Sequence, residues 1–207
     1  MEGDRTMSDE KQNKQVSKQN WKKSIVVYLH DIVYLLAVLM VGLLLVFRIV
    51  IVSGSSMNDT LMDGDYLLLL SNVFYRDPEP GDIIVLSKDS YDDGSPIVKR
   101  VIATEGQTVD IDFTTGTIIV DGVALDEPYI DHLSTKGDIS IFPQTVKEGC
   151  VFVLGDNRDV SMDSRYPQIG QIDKREILGK AIFLMLPGDP DEQGPQGREF
   201  SRMGVIK

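Results

Sequence analysis

Three stretches of this 207-residue chain place reactive side chains among tight-turn residues. The first is Gly54-Ser55-Ser56-Met57, where three serines (Ser53, Ser55, Ser56) surround one glycine. A serine hydroxyl there is a nucleophile if a base stands beside it, and ordinary loop chemistry if none does. The second is Lys99, embedded in Pro96-Ile97-Val98-Lys99-Arg100-Val101-Ile102. A lysine in an apolar strand points to solvent, the usual outcome, or is buried, deprotonated and usable as a base. The third is Gly155 to Tyr166, where acids, an amide, arginines and hydroxyls crowd one loop. Arg158 and Arg165 cancel the negative charge that a calcium loop concentrates, so no metal site is expected there. His30 and His132 have no metal-ligand partner at helical spacing and read as bystanders. The single cysteine, Cys150, excludes an intrachain disulfide and reads as a small buried hydrophobe.

The elements that must position these groups begin with a polar tail, residues 1–23, rich in Lys and Gln and without hydrophobic period. Trp21 closes that tract as an interfacial anchor would. Ile32 to Phe47 carries no charge, and continued past Arg48 to Val52 it reaches 21 residues, about 31 Å as a helix. Residues 24–52 therefore read as a single transmembrane anchor, with Ser56 about four residues beyond it. Lys22-Lys23 before the run resembles the charged start of a removable signal peptide, but the run is too long for one. Beyond it, strand-like segments alternate with turns: Tyr66 to Leu70, Asp82 to Leu86, Ile97 to Ala103, Thr108 to Phe113, Thr117 to Val120, Val151 to Leu154 and Ala181 to Met185. Asp173 to Leu178 is the one candidate short helix. The fold class is mainly β: an extracytoplasmic domain over 53–186, with 104–149 as an excursion between two core strands. Pro187 to Lys207 reads as an irregular, peripheral tail.

Charge divides the chain. Residues 11–23 hold five lysines and no acid, while residues 51–207 hold 14 basic against 27 acidic residues. The lysines place the N-terminus on the cytoplasmic side and everything after the anchor outside. The acidic body argues against a nucleic-acid partner.

Four motifs follow the apolar run in order: Ser56-Met57-x-x-Thr60-Leu61, Gly81-Asp82-Ile83-Ile84-Val85, Lys99-Arg100-Val101-Ile102-Ala103 and Gly155-Asp156-Asn157-Arg158-x-x-Ser161-x-Asp163-Ser164-Arg165. Together they resemble the conserved boxes of bacterial type I signal peptidases, over roughly residues 24–186. The resemblance implies an antiparallel β-barrel-like catalytic domain with an inserted smaller β lobe and no cofactor. It also implies Ser56 as nucleophile, Lys99 as general base, Ser161 as the hydroxyl that orients the lysine amine, and Asp163 with Arg165 as a structural ion pair. A lysine serving as base must be neutral, which an apolar setting supplies at about 3 kcal/mol. Val50, Val52, Met57, Ile97 and Val98 match positions lining shallow pockets for small side chains at the first and third residues before the cut. The implied partners are preprotein signal peptides, the lipid bilayer of the bacterial cytoplasmic membrane and the protein export machinery.

The chain departs from that pattern in three places. Gly54 stands where some members have a serine that donates to the oxyanion, leaving a second donor beside the Ser56 N–H unassigned. Asn58-Asp59 lacks the proline usual in the turn, and the chain after Arg165 is slightly longer than expected. Two other functions fit parts of the pattern: a self-cleaving Ser/Lys regulator, disfavoured by the anchor and by the lack of a helix-turn-helix pattern, and a non-enzymatic anchored β-domain binding an extracellular partner.

Overall fold

The structure is a computed structural model describing residues 3–58, 60–130, 140–189 and 197–206. The chain divides into two compact units, Met1–Leu45 and Val46–Lys207.

The first unit is helical. Helix α1 (Gly3–Val46) contains a 22-residue stretch, Ile25–Val46, with mean hydropathy 2.4 and none of it buried. At 1.5 Å per residue it extends about 33 Å, long and apolar enough to cross a bilayer core. The helix ends at Val46, short of the Val52 boundary expected from hydropathy. Phe47-Arg48-Ile49-Val50-Ile51 forms strand β1 (Phe47–Ile51) and pairs antiparallel with β2 (Tyr66–Ser71), Phe47 opposite Leu70 and Ile51 opposite Tyr66. Three consecutive β-branched residues with a partner strand available prefer the pleated conformation, and hydropathy cannot register that choice. His30 and Asp31 consequently fall inside the apolar stretch rather than at its edge.

The second unit is built on antiparallel strands. The remaining strands of the large sheet are β3 (Ile83–Leu86), β4 (Ile97–Thr104), β9 (Cys150–Leu154), β10 (Ile172–Asp173), β11 (Ile177–Leu186) and β12 (Gly204–Val205). Their order is β1-β2-β11-β3-β4-β9-β10, with β12 added beside β11. The sheet is an open, curled half-barrel, in line with the mainly β, barrel-like expectation. A smaller sheet of β5 (Thr108–Asp112), β6 (Thr117–Val120), β7 (Val123–Ala124) and β8 (Gln144–Thr145) has the order β7-β6-β5-β8.

Both faces of the central strands are covered, so their sequences are apolar without alternation. Ile83, Val85 and Val98 face one cluster with Val52, Met57, Leu61, Leu67 and Leu69. Their neighbours Ile84, Leu86, Ile97 and Val101 face another with Val151, Val153, Ile169 and Ile177. A third cluster joins Ile102, Ala103, Phe152 and Leu154 of the large sheet to Val109, Ile111 and Ile118 of the small one. Each of these aliphatic side chains contributes about 1.5–3 kcal/mol on burial.

Two segments differ from expectation. Lys174–Glu176 makes one short 3₁₀ turn with a capping box between Asp173 and Glu176, and the chain enters β11 at Ile177 instead of extending a helix. The end of the chain is docked: Arg202 grips the buried Asp65 carboxylate through two guanidinium nitrogens, at 3.1 and 2.6 Å, and β12 pairs with Phe183 and Leu184. A peripheral tail was expected because the Gly/Pro composition before it masks this short strand.

Candidate active site

Ser56 sits in the loop between β1 and β2, which is sewn down at both ends. The Val52 N–H donates to Asp65 O at 2.9 Å, and Gly64 N–H to Val52 O at 2.9 Å. Met57 and Leu61, each 1% exposed, are inserted into the core on either side of the turn. Within it, Leu61 N–H donates to Met57 O at 2.8 Å, and Gly54, at φ +88°, donates its N–H to the Asp63 carboxylate at 2.7 Å. A positive φ of that size suits glycine and no β-branched residue. That hydrogen bond occupies the Gly54 N–H. Asp59, the family's proline position, lies outside the described residues, as does His132.

Lys99 projects from β4, opposite Ile84 on β3, and is 3% exposed. Its Nζ lies 2.8 Å from Ser56 Oγ and donates to Val98 O at 2.9 Å. Burial is the main influence on this amine and outweighs the opposing pull of Asp163 and Asp156, bringing its pKa down to about 8. Both acids are already committed to arginines. Arg165 holds Asp163 through Nε at 2.8 Å and a terminal nitrogen at 3.0 Å. Arg100 holds Asp156 in the same forked manner, at 2.9 and 2.7 Å. Such bidentate pairs spread each carboxylate's charge over a guanidinium, so two acids near the base do not lock it in its ammonium form.

The loop 155–165 supplies the third side of the site. The Asn157 N–H donates to Ser56 O and its side-chain amide to Ser55 O, both at 3.1 Å. Thr60 Oγ1 donates to Asp156 at 2.6 Å, tying the serine loop to the acid that Arg100 holds on β4. Gly155 permits this approach: a Cβ there would stand 2.5 Å from Ser56 O and 2.5 Å from Ser161 Cβ, and closer still to Ser161 Oγ. Ser161 is 1% exposed, and its hydroxyl has no hydrogen-bond partner, to Lys99 or otherwise, among the described residues.

The cleft over Ser56 has a volume of about 630 Å³. Val50 and Ile97 line it, together with Ile51, Tyr91, Pro96, Val160 and Met162. Val52, Met57 and Val98 instead pack into the core cluster beneath the serine loop. Strand alternation accounts for the split between Ile97 and Val98, which face opposite sides of β4. Thr60, Arg100, Gly155, Asp156 and Asn157 all contribute to the site without having been singled out individually from the sequence. All five stood inside the recognised motifs, yet which side chain met which was invisible there. Tyr91 had no sequence signal at all.

The arrangement pairs a hydroxyl with an amine that is neutral for part of its population near neutral pH, in an apolar-walled groove. That is the equipment for nucleophilic attack on a carbonyl. Residues 25–186 match the family described as signal peptidase, peptidase S26. Signal peptidase I of Bacillus licheniformis is 34% identical over 192 residues, covering 87% of this chain and 96% of that protein. The probable signal peptidase I-1 of a Synechocystis strain is 35% identical over 167 residues, covering 76% and 82%. Signal peptidase I T of Bacillus subtilis is 35% identical over 179 residues, covering 81% and 84%. The order of the motifs, the Ser56–Lys99 juxtaposition and a match spanning most of the chain agree, and the chain belongs to the signal peptidase family, peptidase S26.

Proposed function

We propose that this chain is a membrane-anchored serine endopeptidase that cuts signal peptides from exported preproteins after small-x-small sequences. The observation that carries the reading is the buried Lys99 amine 2.8 Å from Ser56 Oγ on the floor of the cleft. Neutral Lys99 takes the Ser56 proton as Oγ attacks the scissile carbonyl, and the Ser56 N–H faces the developing oxyanion. The resulting ammonium returns the proton to the leaving amine, and the peptide C–N bond breaks to leave an ester on Ser56. A water then gives its proton to Lys99 and its oxygen to the ester carbon, releasing the signal peptide and restoring the hydroxyl.

Ser161 is the side chain best suited to accept from the transient ammonium, because its hydroxyl is buried on the adjoining loop with no competing bond among the described residues. Asp163 and Arg165 hold that loop and touch no substrate. Val50 and Ile97 form the wall against which small substrate side chains pack, while Val52, Met57 and Val98 shape the wall from behind. An extended substrate joins the exposed edge by backbone hydrogen bonds, with selectivity from the pockets.

The lysine-rich tail faces the cytoplasm and residues 46–207 face outward, where the export machinery delivers the substrate. The test is product analysis: the full-length chain in detergent, given a preprotein, releases one mature chain whose new N-terminus follows a small-x-small sequence. Replacing the residue before the cut by Phe abolishes release. Cleavage at scattered sites, or indifference to the Phe substitution, contradicts this assignment.

A further inference from the structure

The excursion 104–149 reads from sequence as a lobe remote from the chemistry, but its return segment reaches the loop that packs on Ser56. After β7, the Glu127 carboxylate lies against the guanidinium of Arg158, joined through both terminal nitrogens. The side chains of the pair are 4% and 1% exposed. Arg158 Nε donates to Gly155 O at 3.0 Å, and Arg165 donates to Arg158 O at 2.6 Å. Two residues on, the Tyr129 ring lies 3.9 Å from the guanidinium carbon of Arg100, the arginine that holds Asp156. Tyr129 OH donates to Glu127 at 2.9 Å, so the two contacts brace one another.

We infer that Glu127 and Tyr129 are positioning residues for peptide cleavage: the small lobe sets the placement of loop 155–165 against Ser56 and Lys99. This rests on the Ser56/Lys99 reading. The physical case is that Arg158 is a buried cation whose charge is balanced by Glu127, and its Nε fixes the carbonyl of the glycine that separates Ser161 from Ser56. Removing the carboxylate leaves a buried charge uncompensated beside Gly155, which moves unless another anion replaces it. Neither Glu127 nor Tyr129 lines the substrate cleft. Their loss therefore acts on turnover and not on substrate binding, and a misplacement of the order of an ångström costs up to about a hundredfold in rate.

The experiment uses the full-length chain in detergent with a preprotein substrate and compares Glu127→Ala, Glu127→Gln, Arg158→Ala, the double variant Glu127→Ala/Arg158→Ala, Tyr129→Leu and Ser56→Ala. The expected result is a kcat lowered about tenfold to a hundredfold in Glu127→Ala, with KM within about twofold of wild type. Glu127→Gln, which keeps the shape and a hydrogen bond, recovers part of that loss. The double variant is no slower than the slower single variant, because the pair acts as a unit. Tyr129→Leu lowers kcat by a smaller factor. Losses in Glu127→Ala and Arg158→Ala that multiply in the double variant, a rise in KM at constant kcat, or a kcat that merely tracks the folded fraction overturns the inference. Full activity in Ser56→Ala contradicts the dyad itself, whatever Glu127 does, so the two failures are told apart.

Discussion

Lys99 shows how much one buried amine has to reconcile. Its pKa near 8 means that the reactive neutral form is the minority at pH 7 and the majority above 8. The rate of cleavage should rise through about pH 8 and fall about tenfold per unit on the acid side. Because each neighbouring acid is neutralised by an arginine, Arg165→Gln should release the field of Asp163, raise the lysine pKa and move the acid limb upward. An acid limb that stays in place would show that the ion pair plays no part in tuning the base. The same shift has a cost in stability. A lysine whose pKa is lower folded than unfolded destabilises the native state most fully below about pH 8, and the penalty disappears as pH rises through its ordinary value of 10.5. Lys99→Met should accordingly be inactive yet more stable at pH 7, by up to about 3 kcal/mol in chemical denaturation. At this scale the sequence was informative about identity: the ordered motifs singled out Ser56 and Lys99, and the structure sets Ser56 Oγ 2.8 Å from Lys99 Nζ. It was silent on partnership, since nothing in the order of residues says that Ser161 Oγ lacks a bond among the described residues or that Thr60 reaches Asp156.

Among the elements, the loop 155–165 is the part on which the site's geometry depends most. A substitution as small as Gly155→Ala would drive a methyl group into Ser161 and the Ser56 carbonyl. It should lower kcat by about a hundredfold while leaving the secondary structure seen by circular dichroism intact; wild-type kinetics would mean that the two loops approach less closely in solution. The strands were largely legible, because apolar runs bounded by Gly, Pro and Asp leave few alternatives. Where the reading failed, a partner strand decided the outcome. Phe47–Ile51 has the hydropathy of a continuing helix, and only its pairing with β2 makes it a strand. Gly204–Val205 is too short to carry a periodic signal, yet it is held by β11 and by Arg202 on Asp65. Composition sets 104–149 apart as an excursion, but the return of Glu127 to Arg158 spans 31 positions and leaves no local trace.

For the molecule as a whole, an apolar helix and family membership make this a membrane-anchored protein, with β1 following directly from the helix at Phe47. Ser56 lies ten positions beyond Val46 in the chain. We propose that the five lysines of residues 11–23 set the orientation: protease added to intact cells should digest residues 46–207 and spare an N-terminal tag, and the reverse pattern would invert the assignment. The central claim is that Ser56 and Lys99 act as one unit, and the most direct test is preprotein cleavage by wild type, Ser56→Ala, Lys99→Ala and the double variant, each purified full length in detergent. The account predicts that each single variant loses activity by about 10⁴-fold or more and that the double variant loses no more than either. Substantial cleavage by either single variant, with folding intact, would contradict it.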